Sequence, residues 1–246
     1  MQHRSKKIKK SFFIILVVLI VLSGSSAIYL GNYYHSVDVE KYMTSSSEVT
    51  IKKFDKGWFF DGAGEEKTLI FYPGAKVATE AYAPLMYQLT ENGIDCFLVD
   101  MPFHMAFFGM NRAEEIMQEY NYEAWYLGGH SLGGAMAANF AADYVEDHTD
   151  GIRGLLLLAA YPTKDLSTSD MSVVTVYGSE DGVLNMDKIV AGRELMPQDY
   201  KEVCIEGGNH AQFGSYGAQK GDGTAAIPAE EQWARTVEVF VGDESE

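Results

Sequence analysis

From residue 48 onward, short unbroken apolar runs alternate with longer segments whose apolar residues recur every three or four positions. Leu155-Leu156-Leu157-Leu158 and Val173-Val174-Thr175-Val176 lack the in-out alternation of a half-exposed strand. Such runs are expected where both faces of a parallel sheet are covered. Tyr82, Leu85, Met86 and Leu89 form the i, i+3, i+4, i+7 stripe of a surface helix, and Gly93 follows where a helix commonly stops. On this reading strands run from Val49 to Phe54, Thr68 to Tyr72, Asp95 to Val99, Glu123 to Gly128, Ile152 to Ala160, Ser172 to Tyr177 and Lys201 to Ile205. Helices run from Tyr82 to Glu91, Arg112 to Glu119, Leu132 to Asp147, Met186 to Met196 and Ala229 to Phe240. The alternation predicts an α/β fold with a doubly wound, mostly parallel sheet, in which reactive residues gather at the carboxyl ends of the strands.

Before residue 48 the pattern changes. Arg4, Lys6, Lys7, Lys9 and Lys10 precede nineteen uncharged residues from Phe12 to Leu30, of which Phe12 to Leu22 are continuously apolar. Nineteen helical residues would span roughly 28 Å, enough to cross a bilayer. The small residues Ser23 to Ala27 also suit the cleavage site of a signal peptide. Residues 1–30 therefore read as a membrane anchor or a signal peptide, 31–47 as a polar stalk and 48–246 as the catalytic domain. The basic end should stay cytoplasmic, which puts the domain on the extracytoplasmic side of the cell membrane, or outside the cell if the segment is cleaved.

Charge and cysteine content narrow the function classes. The chain carries −16, and the first thirty residues carry +5, so the remainder carries −21. A surface of that sign repels polyanions and argues against nucleic acid as a partner. The two cysteines, Cys96 and Cys204, fall in separate strands; they are expected as buried free thiols and exclude a cysteine metal site.

Candidate chemistry sits at three strand ends. Gly129-His130-Ser131-Leu132-Gly133 is a GxSxG sequence between an apolar run and the small-residue helix that holds Gly133, Gly134, Ala137, Ala138, Ala141 and Ala142. A strand, a sharp turn and a helix present a serine hydroxyl as a nucleophile, and the glycines leave room for the turn. Two later strands end in Gly178-Ser179-Glu180-Asp181 and Gly207-Gly208-Asn209-His210. The order serine, acid, histidine makes Ser131 the nucleophile, His210 the base and Asp181 the residue that fixes its tautomer. Glu180 is the rival acid, His130 reads as structural, and His104 could line the site. Backbone amides of Ala75 or Lys76, in the turn Tyr72-Pro73-Gly74, together with Leu132, would form the oxyanion hole; Pro73 has no amide hydrogen to give.

These residues carry a resemblance. From about residue 67 to 240 the chain resembles the α/β-hydrolase superfamily, in particular the small-lid group that includes relatives of the dienelactone hydrolases. The likeness lies in Tyr72-Pro73-Gly74, Gly129-His130-Ser131-Leu132-Gly133, Gly178-Ser179-Glu180-Asp181 and Gly208-Asn209-His210. It implies hydrolysis of an ester, thioester, lactone or amide through an acyl-enzyme, with no metal and no organic cofactor. The chain departs from the family pattern in having Pro73-Gly74 where His-Gly is usual, and serine where dienelactone hydrolases carry cysteine.

Only about eleven residues separate Ala160 from Ser172, too few for a large lid domain. An open site is expected, walled by Phe103 to Phe108, Tyr161 and the loop from Phe213 to Gly223, and suited to a small acyl substrate. Two other functions fit the same residues: a catalytically silent binding or scaffold protein of this fold at the cell surface, and an acyltransferase using the same triad.

Overall fold

In the computed structural model, which describes residues 16–18, 20, 21, 24, 30–64, 67–148 and 151–242, the predicted alternation becomes one eight-stranded sheet. The strands are β1 (Thr50–Phe54), β2 (Gly57–Asp61), β3 (Lys67–Tyr72), β4 (Ile94–Val99), β5 (Ala124–His130), β6 (Ile152–Leu158), β7 (Ser172–Gly178) and β8 (Tyr200–Ile205). They lie in the order β1-β2-β4-β3-β5-β6-β7-β8. β2 pairs antiparallel with β1 and β4, and every other pairing is parallel. The longer helices are α1 (Ala83–Glu91), α2 (Arg112–Glu119), α3 (Leu132–Asp147), α4 (Met186–Gly192) and α5 (Ala229–Gly242). No helix lies between β6 and β7, so the fold has no large lid domain.

The unbroken apolar runs have the predicted cause. Leu69 and Phe71 of β3 join one core cluster, with Leu85 and Met86 of α1 and Trp233 and Val237 of α5. Ile70 and Tyr72, the alternate residues, join a second cluster with Ile116 of α2 and Ala137, Ala138 and Ala141 of α3. Each strand residue points opposite to its neighbour, so a sheet covered on both faces needs every position apolar.

β2 escaped the sequence reading. Its residues, Gly57 to Asp61, follow a tight turn in which Gly57 takes φ 152, and a Cβ there would come 2.1 Å from the Leu98 carbonyl oxygen. Phe59 then stacks on Phe97 with ring centroids 4.4 Å apart. Three aromatic residues in a row, with no alternation, concealed a strand that begins directly after a glycine hairpin.

Two compact units divide the chain, Met1–Tyr33 and Tyr34–Glu246. The proposed anchor or signal peptide falls mostly outside the described residues; among those described, no helix is long and apolar enough to cross a membrane. The expected stalk is corrected from Tyr34 onward, because that stretch packs on the domain. Tyr34 N–H donates to the Lys76 carbonyl (2.7 Å), Ala78 N–H donates to the Tyr34 carbonyl (2.8 Å), and Val37 N–H donates to the Ser215 carbonyl (2.8 Å). Val39 is buried, and Tyr42 sets its ring edge-on to Tyr87 and Trp233. A few apolar side chains spaced among serines and threonines suffice to bind the segment, although its average composition is that of a linker.

The cysteines are free and lie on separate strands, as expected. Cys96 is buried on β4, but Cys204 is exposed, because β8 is the edge of the sheet and has a neighbour on one side only.

Candidate active site

The site begins where β3 and β5 end side by side. These parallel neighbours hold Tyr72 opposite Gly129, so the turns that follow leave the sheet together, at the point where the strand order reverses. Ser131 stands between β5 and α3 at φ 54 and ψ −121. An L residue held there costs about 1–3 kcal/mol, and the strain must be imposed by the surroundings. They impose it through several contacts. Ser131 N–H donates to the Leu158 carbonyl (2.8 Å). A Cβ on Gly129 would lie 2.6 Å from the Gly133 carbonyl carbon and the Gly134 nitrogen, and one on Gly133 would lie 2.1 Å from the Tyr72 carbonyl oxygen. No turn this tight closes with side chains at those positions. It also brings the first-turn amides of α3, with their partial positive charge, to the rim of a cleft that Ser131 and Leu132 line.

Asp181 and His210 meet across the ends of β7 and β8. His210 Nδ1 lies 2.8 Å from Asp181 Oδ2, with both side chains 2 % exposed. The carboxylate accepts only, so the shared proton sits on Nδ1 and Nε2 is left as the proton acceptor. The other carboxylate oxygen, Oδ1, accepts the Val183 and Leu184 amides at 2.9 and 2.8 Å, which fixes its orientation. Glu180, the rival acid, is exposed, and its carboxylate accepts from Ser179 Oγ (3.2 Å). His210 lines the same cleft as Ser131, so the structure gathers all three predicted side chains at one rim.

Two positioning residues were missed. Asp222 Oδ1 accepts the amides of Gly182 (3.1 Å) and His210 (3.2 Å), while Oδ2 accepts that of Ala211 (2.8 Å). One carboxylate thus ties the acid loop to the histidine loop. Gln232 of α5, fully buried, clamps the backbone just before His210: Asn209 N–H donates to its Oε1 (3.0 Å), and its Nε2 donates to the Asn209 carbonyl (2.8 Å). Asp222 reads in sequence as an ordinary Gly-Asp-Gly turn. A glutamine on the apolar stripe of a helix was the signal available for Gln232.

In the turn after β3 the candidate oxyanion donors separate. Lys76, one of the two expected there, is corrected: its amide donates to the His104 carbonyl at 2.7 Å. The Gly74 amide donates to Tyr82 Oη (3.0 Å). The Ala75 amide has no hydrogen-bond partner among the described residues, so Ala75 remains the candidate of this turn, and Leu132 lines the cleft.

Tyr82 and His130 lie buried beneath this turn. Tyr82 Oη is 2.7 Å from His130 Nδ1, and the His130 ring packs 4.4 Å from that of His210. A Cβ on Gly74 would lie 2.7 Å from His130 Nδ1, which leaves no space between turn and ring. Burial, and after it the neighbouring His210, holds the His130 pKa well below the usual 6.5. The unfolded chain therefore takes up a proton near pH 6.5 that the folded chain refuses, and stability present above that pH is lost as pH falls below it. The loss is about 1.4 kcal/mol per pH unit until the folded pKa is reached. His130→Gln is expected to flatten the fall in Tm between pH 7 and pH 5; an unchanged slope would trace the loss to other groups.

The cleft has a volume of about 350 Å³ and is lined mainly by small or apolar residues, among them Ala135, Met136, Ala160, Leu184 and the predicted Tyr161. The other expected walls, Phe103 to Phe108 and Phe213 to Gly223, do not line it. Among the described residues no group of histidine, cysteine and acidic side chains could hold a metal ion.

Residues 68–234 match the alpha/beta hydrolase family. The chain belongs to that family. Solved structures share the alpha/beta hydrolase fold at low identity. Carboxyl esterase 2 from the mycorrhizal fungus Tuber melanosporum is 13% identical with a TM-score of 0.60, over 85% of this chain and 89% of that one. A thermostable esterase from Pseudomonas putida is 16% identical with a TM-score of 0.56, over 82% and 87%. A monoacylglycerol lipase from Paleococcus ferrophilus is 15% identical with a TM-score of 0.58, over 80% and 100%. No curated protein matches the sequence.

Proposed function

We propose that this alpha/beta hydrolase is a serine esterase that cleaves a carboxylic ester, or a related thioester, lactone or amide, through a Ser131-His210-Asp181 triad. The observation that carries the reading is the buried His210 to Asp181 hydrogen bond beside a serine held at φ 54. His210 Nε2 takes the proton of the Ser131 hydroxyl as Oγ attacks the substrate carbonyl. Asp181 stabilises the imidazolium that forms, and the Ala75 and Leu132 amides receive the negative charge on the carbonyl oxygen. His210 then gives its proton to the leaving group, and an acyl-enzyme remains. Water, deprotonated by His210, attacks the acyl carbon, and Ser131 regains its proton as the acid departs.

The small apolar cleft favours a short acyl group or the end of a longer one. The esterases and the lipase that share the fold support an ester as the substrate. The basic residues ahead of the uncharged stretch from Phe12 to Leu30 support an exported domain held at the cell membrane by that stretch.

A fluorophosphonate probe is expected to label the folded protein at Ser131 and to fail on Ser131→Ala and His210→Ala. Peptide mapping of the labelled chain checks it. Folded protein that takes up no label, or labels at another residue, would overturn the reading and leave a silent binding protein of this fold.

A further inference from the structure

Seven large apolar side chains are exposed on the unit from Tyr34 onward, and all belong to segments that follow the carboxyl end of a strand or pack against one. Phe103, Phe107 and Phe108, in the loop after β4, are 59 %, 48 % and 52 % exposed and touch one another, with centroids 5.6 Å apart for Phe103 and Phe108 and 4.1 Å for Phe107 and Phe108. After β7, Val183 forms part of the cleft wall, and Met186 and Val190 extend the apolar surface one helical turn at a time. The seventh, Val37, is bonded to Ser215, just beyond the His210 loop. At the opposite edge of the sheet the described residues expose no side chain of this kind. Apolar exposure gathered on one rim is the mark of a docking surface, whereas exposure scattered singly would carry no meaning.

The chain's own route names what the rim faces. Tyr34 donates to the Lys76 carbonyl, and Lys76 in turn donates to the carbonyl of His104, the residue after Phe103. The domain is therefore entered beside the aromatic loop. The uncharged stretch from Phe12 to Leu30 ends four residues before Tyr34, a reach of about 14 Å at full extension. A bilayer that held this stretch would be within chain reach of Tyr34, where the domain is entered. Charge selects the kind of surface: with −21 on the residues after the first thirty, the domain is repelled by anionic headgroups. Phenylalanine, valine and methionine have no charge to lose in a zwitterionic interface.

We propose that the carboxyl-end rim of the sheet, where the active-site cleft lies, docks on a zwitterionic lipid bilayer, with Phe103, Phe107 and Phe108 after β4 and Met186 and Val190 after β7 entering the interface, and that its substrate is an amphiphilic acyl ester held in that bilayer. The chemistry rests on the serine esterase reading; the docking does not.

The test uses the full chain reconstituted in phosphatidylcholine vesicles, with Cys204→Ser to remove the exposed thiol and single labelling sites at Phe107→Cys, Met186→Cys and, at the opposite edge, Asn92→Cys. Bimane at 107 and 186 is expected to be quenched at least twofold by nitroxide-bearing lipid, and bimane at 92 is not. Equal quenching at all three sites, none at 107 and 186, or failure of the chain to float with the vesicles would overturn the proposal. A protein partner for the rim would give the second of these results. In parallel, Phe103→Ser, Phe107→Ser and Phe108→Ser together are expected to slow hydrolysis of a long-chain ester dispersed in the vesicles about tenfold, and that of a water-soluble acetate less than twofold. Equal losses on both substrates, or no loss on either, would count against docking. Fluorophosphonate labelling of the same preparations reports on the esterase reading separately.

Discussion

Ser131→Ala is expected to lower kcat by about 10⁴- to 10⁶-fold on any ester the wild type cleaves, with KM and Tm little changed. Alanine keeps the Cβ and removes only the hydroxyl, and the turn is held by the Ser131 backbone and by the glycines on either side. Asp181→Asn should cost about 10⁴-fold, because an amide in place of the carboxylate offers a donor to Nδ1 and turns the imidazole to the wrong tautomer. On the triad reading the three side chains act as one unit, so the double variant of Ser131→Ala with Asp181→Asn should be no slower than Ser131→Ala alone. Single-turnover rates with a chromogenic short-chain ester check this. A loss under about tenfold for Ser131→Ala would remove serine from the mechanism.

Gly133→Ala is expected to be as damaging by a different route. The new methyl would sit 2.1 Å from the Tyr72 carbonyl oxygen and 2.4 Å from that of Pro73. Both atoms are backbone, so α3 and the end of β3 must separate. The cost is about 3 kcal/mol or more, roughly 10 °C in Tm for a domain of this size. Ala75 follows Pro73 by two residues, so the same displacement should move its amide from its proposed place in the oxyanion hole and depress kcat even at temperatures where the variant is folded. Thermal unfolding and kcat on one preparation check both effects. Gly93→Ala is the comparison, because a Cβ there has open space although φ is +86, and it should cost stability without touching kcat.

Much of the fold was legible because its signals are short-range. Uninterrupted runs such as Leu155 to Leu158 declare strands covered on both faces, and Tyr82 to Leu89 declares a helix, whatever lies elsewhere in the chain. The turns holding Ser131, Asp181 and His210 were legible for the same reason, since each combines a strand end with a residue type suited to the chemistry. What stayed hidden depends on pairing across the chain. Nothing local tells Trp58-Phe59-Phe60 that it will pair antiparallel with β4, or Cys204 that its strand will lie at an edge. Asp222 reaches across to the Gly182 and His210 amides, and Gln232 reaches back to Asn209, so their roles exist only once the loops have met. Lys76 and Ala75 are indistinguishable in sequence, and the choice between their amides falls to the position of the His104 carbonyl.

The bare connection between β6 and β7 has a kinetic meaning. No helix there has to swing aside, so on the serine esterase reading a water-soluble ester should enter and its acid leave without waiting on a gate, and turnover of such an ester should be limited by chemistry and indifferent to solvent viscosity.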